Sequence, residues 1–189
     1  MSTPAMAVAE PTTIGTDWTI DNDHSNVEFS VKHMMIATVT GTFENVSGTI
    51  HWDGEHLESA AVEASIATQS ISTHNQLRDN HLRSGDFLLA ERFPDITFAS
   101  TSVELTGADH FKIHGDLTIR DRTLPIVLDT KYRGQIAEGA GKHRAAFSGT
   151  TRLSRKAFGV SWNERLDGGG VVVSDTVKVT LNISAVQQS

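Results

Sequence analysis

Nine histidines in a chain of 189 residues invite a metal or acid–base reading. His24 and His33 lie nine positions apart, which puts them on opposite faces of one strand. His51 and His56 flank a turn, and His74 and His81 are seven apart, two turns of a helix if both are helical. A metal needs ligands brought to one point, and spacings such as HxH or HExxH achieve this on one element. No such spacing occurs, so a metal site would need assembly from distant segments. Nucleophilic chemistry has no better start. There is no GxSxG elbow, and the absence of cysteine removes thiolate catalysis, disulfides and zinc–thiolate sites together. The "DND" at 21–23 lacks the glycine and distal glutamate of a calcium loop. The "DGGGVVV" stretch precedes a strand, whereas a phosphate cradle needs a helix N-terminus.

The densest polar stretch is "SISTHNQLRDNHLRSGDF", residues 70–87. Arg78, Asp79, His81, Arg83 and Asp86 crowd into nine positions there, interrupted by Leu77, Leu82 and Phe87. Thr73 or Asn75 can cap a helix, and Gly85 is placed to end it, so the spacing predicts a short helix over about 75–84. Arginine and aspartate a turn apart are expected to form ion pairs that fix where the helix sits, each contributing roughly 0–1 kcal/mol. Leu77, Leu82 and Phe87 are expected to pack down, making the helix a lid on one end of the fold.

Around this helix the pattern has period two. "NVEFSVK" puts Val27, Phe29 and Val31 on one face. "FKIHGDLTI" does the same with Phe111, Ile113, Gly115, Leu117 and Ile119. "LPIVLDTKY", "AFSGTTRL" and "DTVKVTLNI" repeat the alternation, each as a half-buried antiparallel strand. Further strands are expected near 17–21, 38–52, 58–71 and 95–106. Short polar or Gly-rich connections such as "TGADH", "RDRT" and "AEGAGKH" join them. Long strands with one apolar face favour a closed, tilted barrel, which has no edges. The fold class is all-β, an eight-stranded antiparallel barrel with one short helix. Residues 1–15 read as a flexible tail and 16–189 as one domain. Eight strands enclose just enough room to be self-filled or to hold one small ligand. Gly41, Ala64, Gly115, Gly149 and Thr151 point inward and mark ligand space, barrel taper or tight bends.

Charge narrows the partners. The net charge is −7, which argues against nucleic acid, since phosphate binding needs a basic face. The charge is uneven: residues 120–165 alone carry +6. That segment leaves room for an anionic group, or it protects strand edges from pairing. No basic n-region with a long apolar run opens the chain, and no 18-residue apolar segment occurs, so a cytoplasmic location is expected.

The ordered motifs resemble one family. "WTIDNDHSNVEFSVKHM" resembles the opening of YceI-like proteins, through Trp18, Asp21, His24, Ser25, Phe29, Val31 and His33. "GTFENVSGTI" resembles their next strand pair. "SISTHNQLRDNHLRSGDFLLAERFPDITFAST" is similar to their signature segment, and "GDLTIRDRTLPIVL" and "RKAFGVSW" to later motifs. The resemblance runs from about Trp18 to Ala185. It implies a lipocalin-like extended barrel that binds polyisoprenoids or related long lipids in an apolar tunnel, often as a homodimer, with no catalytic residues and no cofactor.

On that resemblance the small inward residues become tunnel space. Phe29, Val31, Phe43, Ile66, Phe87 and Phe98 become candidate walls from the first half of the chain. Ile113, Leu117, Ile126, Phe147 and Phe158 become those from the second half. Arg152, Arg155 and Lys156 are the candidates for a polar or phosphate head group. The expected ligand is a polyisoprenoid, an isoprenoid quinone or a fatty-acid derivative, carried or stored with transient membrane contact. Burying its carbons from water is worth ~0.8 kcal/mol per CH₂. Moving them from a bilayer into a tunnel is nearly neutral, which favours exchange over irreversible capture. The alternative is a metal-binding or hydrolytic protein using His24, His33 and His81 at the barrel mouth. A third reading is an interaction module whose interior is filled by its own side chains.

Overall fold

The computed structural model describes residues 15–188. The expected tail, but for Gly15, lies outside them. The chain forms β1 (Thr16–Ile20), β2 (Asn26–His33), β3 (Ala37–Phe43), β4 (Val46–Trp52), β5 (Ala61–Ala67) and β6 (Ile71–Ser72). A helix, α1 (Gln76–Arg83), follows. Then come β7 (Asp95–Leu105), β8 (His110–Ile119), β9 (Arg122–Gly139), β10 (Lys142–Ser154) and β11 (Val173–Gln187).

These segments make eight staves. β1 and β2 both lie along β11, with Ile20 opposite Ala185 and Val27 opposite Leu181, so they are one stave broken by a 3₁₀ turn at Asn22–His24. β3 and β4 follow the same break against β2 and β1, and β5 and β6 follow it again. β7 to β11 are continuous, and every pairing is antiparallel. The pairing of β1 with β11 closes an up-and-down barrel of eight strands. Closure removes the edges that the basic 120–165 segment would have needed to protect.

The strand alternation sets the core. Phe111, Ile113 and Leu117 of β8 and Leu128 of β9 face inward and are buried. At one end Trp18, Trp52, Phe111, Ala145 and Ala185 are at most 4% exposed, a complete seal. The Trp18 indole donates Nε1–H to the Trp52 carbonyl at 3.1 Å. Tyr132 and Phe147 pack against Trp52 with ring centroids 5.7 and 5.9 Å away.

The helix covers the opposite end. Asn75 caps it by accepting from the Arg78 amide at 3.0 Å, and the Ser84 amide donates to the His81 carbonyl. Two expectations about it fail. Leu77 is 85% exposed, because a helix of two turns has room for only one buried stripe, and Asp79 takes it. Among the described residues, the expected arginine–aspartate ion pairs also do not form. Asp79 Oδ1 instead accepts the Thr73 amide at 2.8 Å and the Thr73 hydroxyl at 2.5 Å. Arg78 donates to the Thr73 hydroxyl and carbonyl, and Arg83 to the carbonyls of Gln69 and Ile71. The carboxylate that does pair is Asp86, with His81 at 2.8 Å.

Candidate ligand cavity

Between the aromatic seal and the helical cover lies a cavity of about 190 Å³. Its wall is built from positions on all eight staves. Phe29, Phe43, Ile66, Phe98, Ile113, Leu117, Ile126 and Phe147 all line it. Among the described residues, only Thr130, Ser148 and Thr151 bring hydroxyls to the wall, and no charged residue does. The Thr130 hydroxyl is engaged, donating to the Leu128 carbonyl at 3.3 Å.

Three expected wall residues lie elsewhere. Phe158 is 2% exposed and packs with Ile96 and Leu117 behind the wall. Phe87 stacks T-shaped on His81 at 5.0 Å and tilted on Trp162 at 5.3 Å, so it belongs to the cover. Val31 sits on β2 beyond the cavity, two positions past Phe29 and opposite Val177 of β11. Wall residues that alternation alone does not single out include Leu57 and Ala60, which come from the 3₁₀ connection at Leu57–Ser59 and its C-cap.

The inward glycines divide. A Cβ on Gly41 would stand 2.4 Å from Phe29 Cζ, and one on Gly115 would stand 2.4 Å from Phe98 Cζ. Their space is therefore occupied by aromatic rings laid across the neighbouring strand, which corrects the reading of both as tunnel space. Gly149 is different, since the nearest atom to its Cβ position is 3.4 Å away, and it lines the cavity with Ala64 and Thr151.

The head-group candidates are not gathered at the cavity. Arg155 is buried, with its guanidinium donating to the carbonyls of Ser174, Val160, Trp162 and Val173 at 2.8–3.0 Å. Burial pushes its pKa down, opposed by the Asp175 carboxylate. Its fork is saturated by backbone, so it is a brace of the 155–172 loop and not a free anion contact, a correction to its expected role. Arg152 and Lys156 are exposed, and Arg152 lies on the outer face of β10 opposite Lys178 of β11. Much of the positive charge of 120–165 is similarly committed. Arg120 donates to the carbonyls of Phe87 and Gly159, Arg122 to that of Ala157, and Lys131 pairs with Asp109. Arg144 joins Asp21, Glu138 and the Ser184 hydroxyl.

The histidines do not converge. His24 lies in the 3₁₀ turn before β2 and His33 at the far end of that strand, which is itself about 23 Å long at the usual rise. His24 binds Asp21 at 2.8 Å, and His81 is held by Asp86, Phe87 and Trp162. His51, His56 and His110 each sit against one local aspartate. Among the described residues no group of three or more His, Asp or Glu is placed to hold a metal.

A closed eight-stranded antiparallel barrel with an uncharged interior and one helical cover defines a lipocalin-like architecture. The chain belongs to the YceI-like family, whose domain it matches over residues 18–185. It is 35% identical over 174 residues to a UPF0312 protein of Ectopseudomonas mendocina, covering 91% of this chain and 88% of that one. A UPF0312 protein of Staphylococcus aureus is 34% identical over 164 residues, covering 86% and 93%. Among solved structures, a YceI protein of Campylobacter jejuni superposes with a TM-score of 0.72 at 30% identity, covering 84% of this chain and 90% of that one. Burkholderia cenocepacia BcnA shares the fold, with a TM-score of 0.75 at 21% identity and coverage of 87% and 98%. So does a polyisoprenoid-binding domain from Saccharophagus degradans, at 0.62 and 13% over 90% and 98%.

Proposed function

We propose that the barrel binds an uncharged hydrocarbon chain in its cavity and acts as a carrier or reservoir that exchanges with membranes. The observation that carries this is the wall, which is continuous, apolar and without a charged side chain. A buried carboxylate or pyrophosphate would have no compensating partner there and would cost several kcal/mol or more. The guest's polar end therefore stays outside, and its hydrocarbon enters.

Size sets a further limit. At the roughly 30 Å³ that a packed water occupies, the cavity holds about six such volumes. A methylene needs about as much room as a water, so the cavity takes a segment of about six carbons. That fits the end of a fatty-acyl chain, or the leading isoprene unit of a longer polyisoprenoid or quinone tail. The neighbour from Saccharophagus degradans is described as polyisoprenoid-binding, which favours the prenyl class for this chain. The role is binding without catalysis.

The test is native mass spectrometry on untagged protein prepared without detergent, followed by solvent extraction and by titration with the apolar fluorophore N-phenyl-1-naphthylamine and with geranylgeraniol. A co-purifying mass that extracts into solvent, or one-to-one uptake of either probe, supports the reading. Protein that carries nothing and takes up neither probe overturns it.

A further inference from the structure

The β2–β3 hairpin ends in three consecutive large apolar residues. Met34, Met35 and Ile36 are 46, 63 and 86% exposed. The ladder closes at His33 opposite Ala37, so these three are the whole tip. Both methionines hold left-handed backbone, with φ of 50° and 64°. Such a conformation costs roughly 1–2 kcal/mol per non-Gly residue. Asn-Gly would make a tight hairpin turn without that strain. This chain instead presents bulky thioethers and an isoleucine to solvent on a strained turn. The turn is braced from behind. The Met34 amide donates to the Val172 carbonyl at 2.8 Å, and Met35 Sδ lies 2.6 Å from where a Cβ on Gly170 would sit.

Cations stand behind the tip. Lys32 is exposed one row back, on the outer face of β2. Lys178 of β11 faces Ser30 in the next row, and Arg152 of β10 faces Lys178. Among the described residues none of the three pairs with a carboxylate; the Lys32 ammonium donates to the Thr38 hydroxyl at 2.9 Å. Glu28 lies two positions further from the tip, and Glu164, Arg165 and Asp167 sit on the flanking loop. At the strand rise of about 3.3 Å per residue, Lys32 is roughly 7 Å behind Met34 and the Lys178 row roughly 13 Å. An apolar element that enters a membrane interface sinks about 5–10 Å. Insertion of the tip would place these cations at the phosphate level.

We propose that the Met34–Ile36 tip, with Lys32, Lys178 and Arg152 behind it, is a docking element for an anionic lipid bilayer. The step serves the exchange reading above and rests on it for its purpose, but it is measured apart from it. A bilayer fits this surface better than a second protein. A stable protein interface needs about 800 Å² from each partner, and a convex tip of three side chains cannot supply that. The tip belongs to the same hairpin as the cavity residue Phe29, which lies five positions before Met34, so docking brings the cavity's covered end toward the membrane. With three cations partly offset by nearby acids, attachment is weak and reversible, as exchange requires.

The experiment is co-sedimentation of the full chain with vesicles of phosphatidylglycerol and phosphatidylcholine in equal parts, and of phosphatidylcholine alone, at low salt. The wild type is expected to partition onto the anionic vesicles and much less onto the neutral ones. Met35→Ser with Ile36→Ser should lower partitioning tenfold or more. Lys32→Gln and Lys178→Gln should each lower it about fivefold, on anionic vesicles only. Lys32, Ile36 and Lys178 are exposed, so their changes should not move thermal midpoints, and Met35→Ser gives up only the contact with Gly170. Uptake of N-phenyl-1-naphthylamine in solution should also stay unchanged, which separates failure of docking from failure of the cavity. Equal partitioning of wild type and the double serine variant overturns the proposal, as does absence of binding to either vesicle. A sedimentation-velocity dimer that the double variant dissolves would place a second copy at the tip instead, and would likewise overturn it.

Discussion

The ring of Phe29 lies across the backbone of Gly41 on the neighbouring strand, at a distance where a Cβ would meet Cζ at 2.4 Å. The same arrangement recurs between Phe98 and Gly115, three strands away. Each glycine lets an aromatic ring lie flat against the barrel wall and leave the centre open. Adding one methyl group therefore pushes a ring inward. Gly41→Ala should destabilise the fold by about 1–3 kcal/mol, the usual range for overpacking, and should weaken uptake of N-phenyl-1-naphthylamine. Gly115→Ala should be worse, because its Cβ would also meet the Ala99 carbonyl at 2.6 Å, and backbone cannot swing aside. Urea denaturation alongside probe titration checks both, and unchanged probe uptake in a folded Gly41→Ala protein would refute the ring-displacement account.

Thr151 and Gly149 offer the opposite experiment. Both line the cavity, and Gly149 has no neighbour closer than 3.4 Å to its Cβ position. Thr151→Phe fills space that is already empty, so stability should change by less than about 1.5 kcal/mol while probe uptake falls at least tenfold. A folded Thr151→Phe protein that takes up the probe as the wild type does would mean that binding occurs somewhere other than the barrel interior.

Arg155 was a head-group candidate by charge, and its four carbonyl contacts give it a different test. Lysine keeps the charge and loses the planar fork. Arg155→Lys should therefore lower stability by roughly 2 kcal/mol or more, since buried carbonyls at Val160, Trp162 and Val173 lose their donors. Arg152→Gln, on the outer face, should leave the unfolding midpoint within about 0.5 kcal/mol of wild type. Chemical denaturation at neutral pH decides this; equal midpoints for the two variants would remove Arg155 from the brace.

Alternation made the barrel legible. Phe111, Ile113, Leu117, Ile126 and Phe147 all face inward as the period-two pattern requires, because a strand with one buried face has no other register available. The pattern has nothing to say about what lies across a strand. For that reason Gly41 and Gly115 read as open space although rings fill them. Residue type misled in the same way at Arg78, Arg83 and Arg155, where a cation suggests an anionic partner but the folded chain offers carbonyls left over at loops and at the helix entry. Phe87 and Phe158 lie in irregular segments with no period to read, and their partners Trp162 and Ile96 are distant in sequence. The family motif residues Asp21, Ser25, Thr73 and Asp79 hold chain breaks, a role that no local pattern in the sequence reveals. Ser25 exchanges hydrogen bonds with Ser184 where the first stave is interrupted, and Thr73 donates its amide and hydroxyl to Asp79 where the chain enters α1.

Asp21 carries the pH dependence of that first break. The Arg144 guanidinium, bonded to it at 2.6 Å, and His24 hold its pKa at about 2. An aspartate in the unfolded chain titrates near 3.9. The folded value is the lower one, so the unfolded state binds the proton more readily. The ion pair therefore contributes stability in full above about pH 4, and the contribution drains away as pH falls toward 2. Asp53 acts in the same window. Burial pushes its carboxyl up, but the amides of Glu55 and His56 and the His56 ring outweigh that and hold it at about 2. Asp21→Asn should cost roughly 1 kcal/mol at pH 7 and close to nothing at pH 2, so its stability should fall less steeply across this range than that of the wild type. Asp53 keeps its own share in both proteins, so the variant's slope should be reduced and not abolished. Urea midpoints measured at pH 7, 4, 3 and 2 give both slopes. Parallel curves would show that Asp21 is not held by Arg144 in the folded protein.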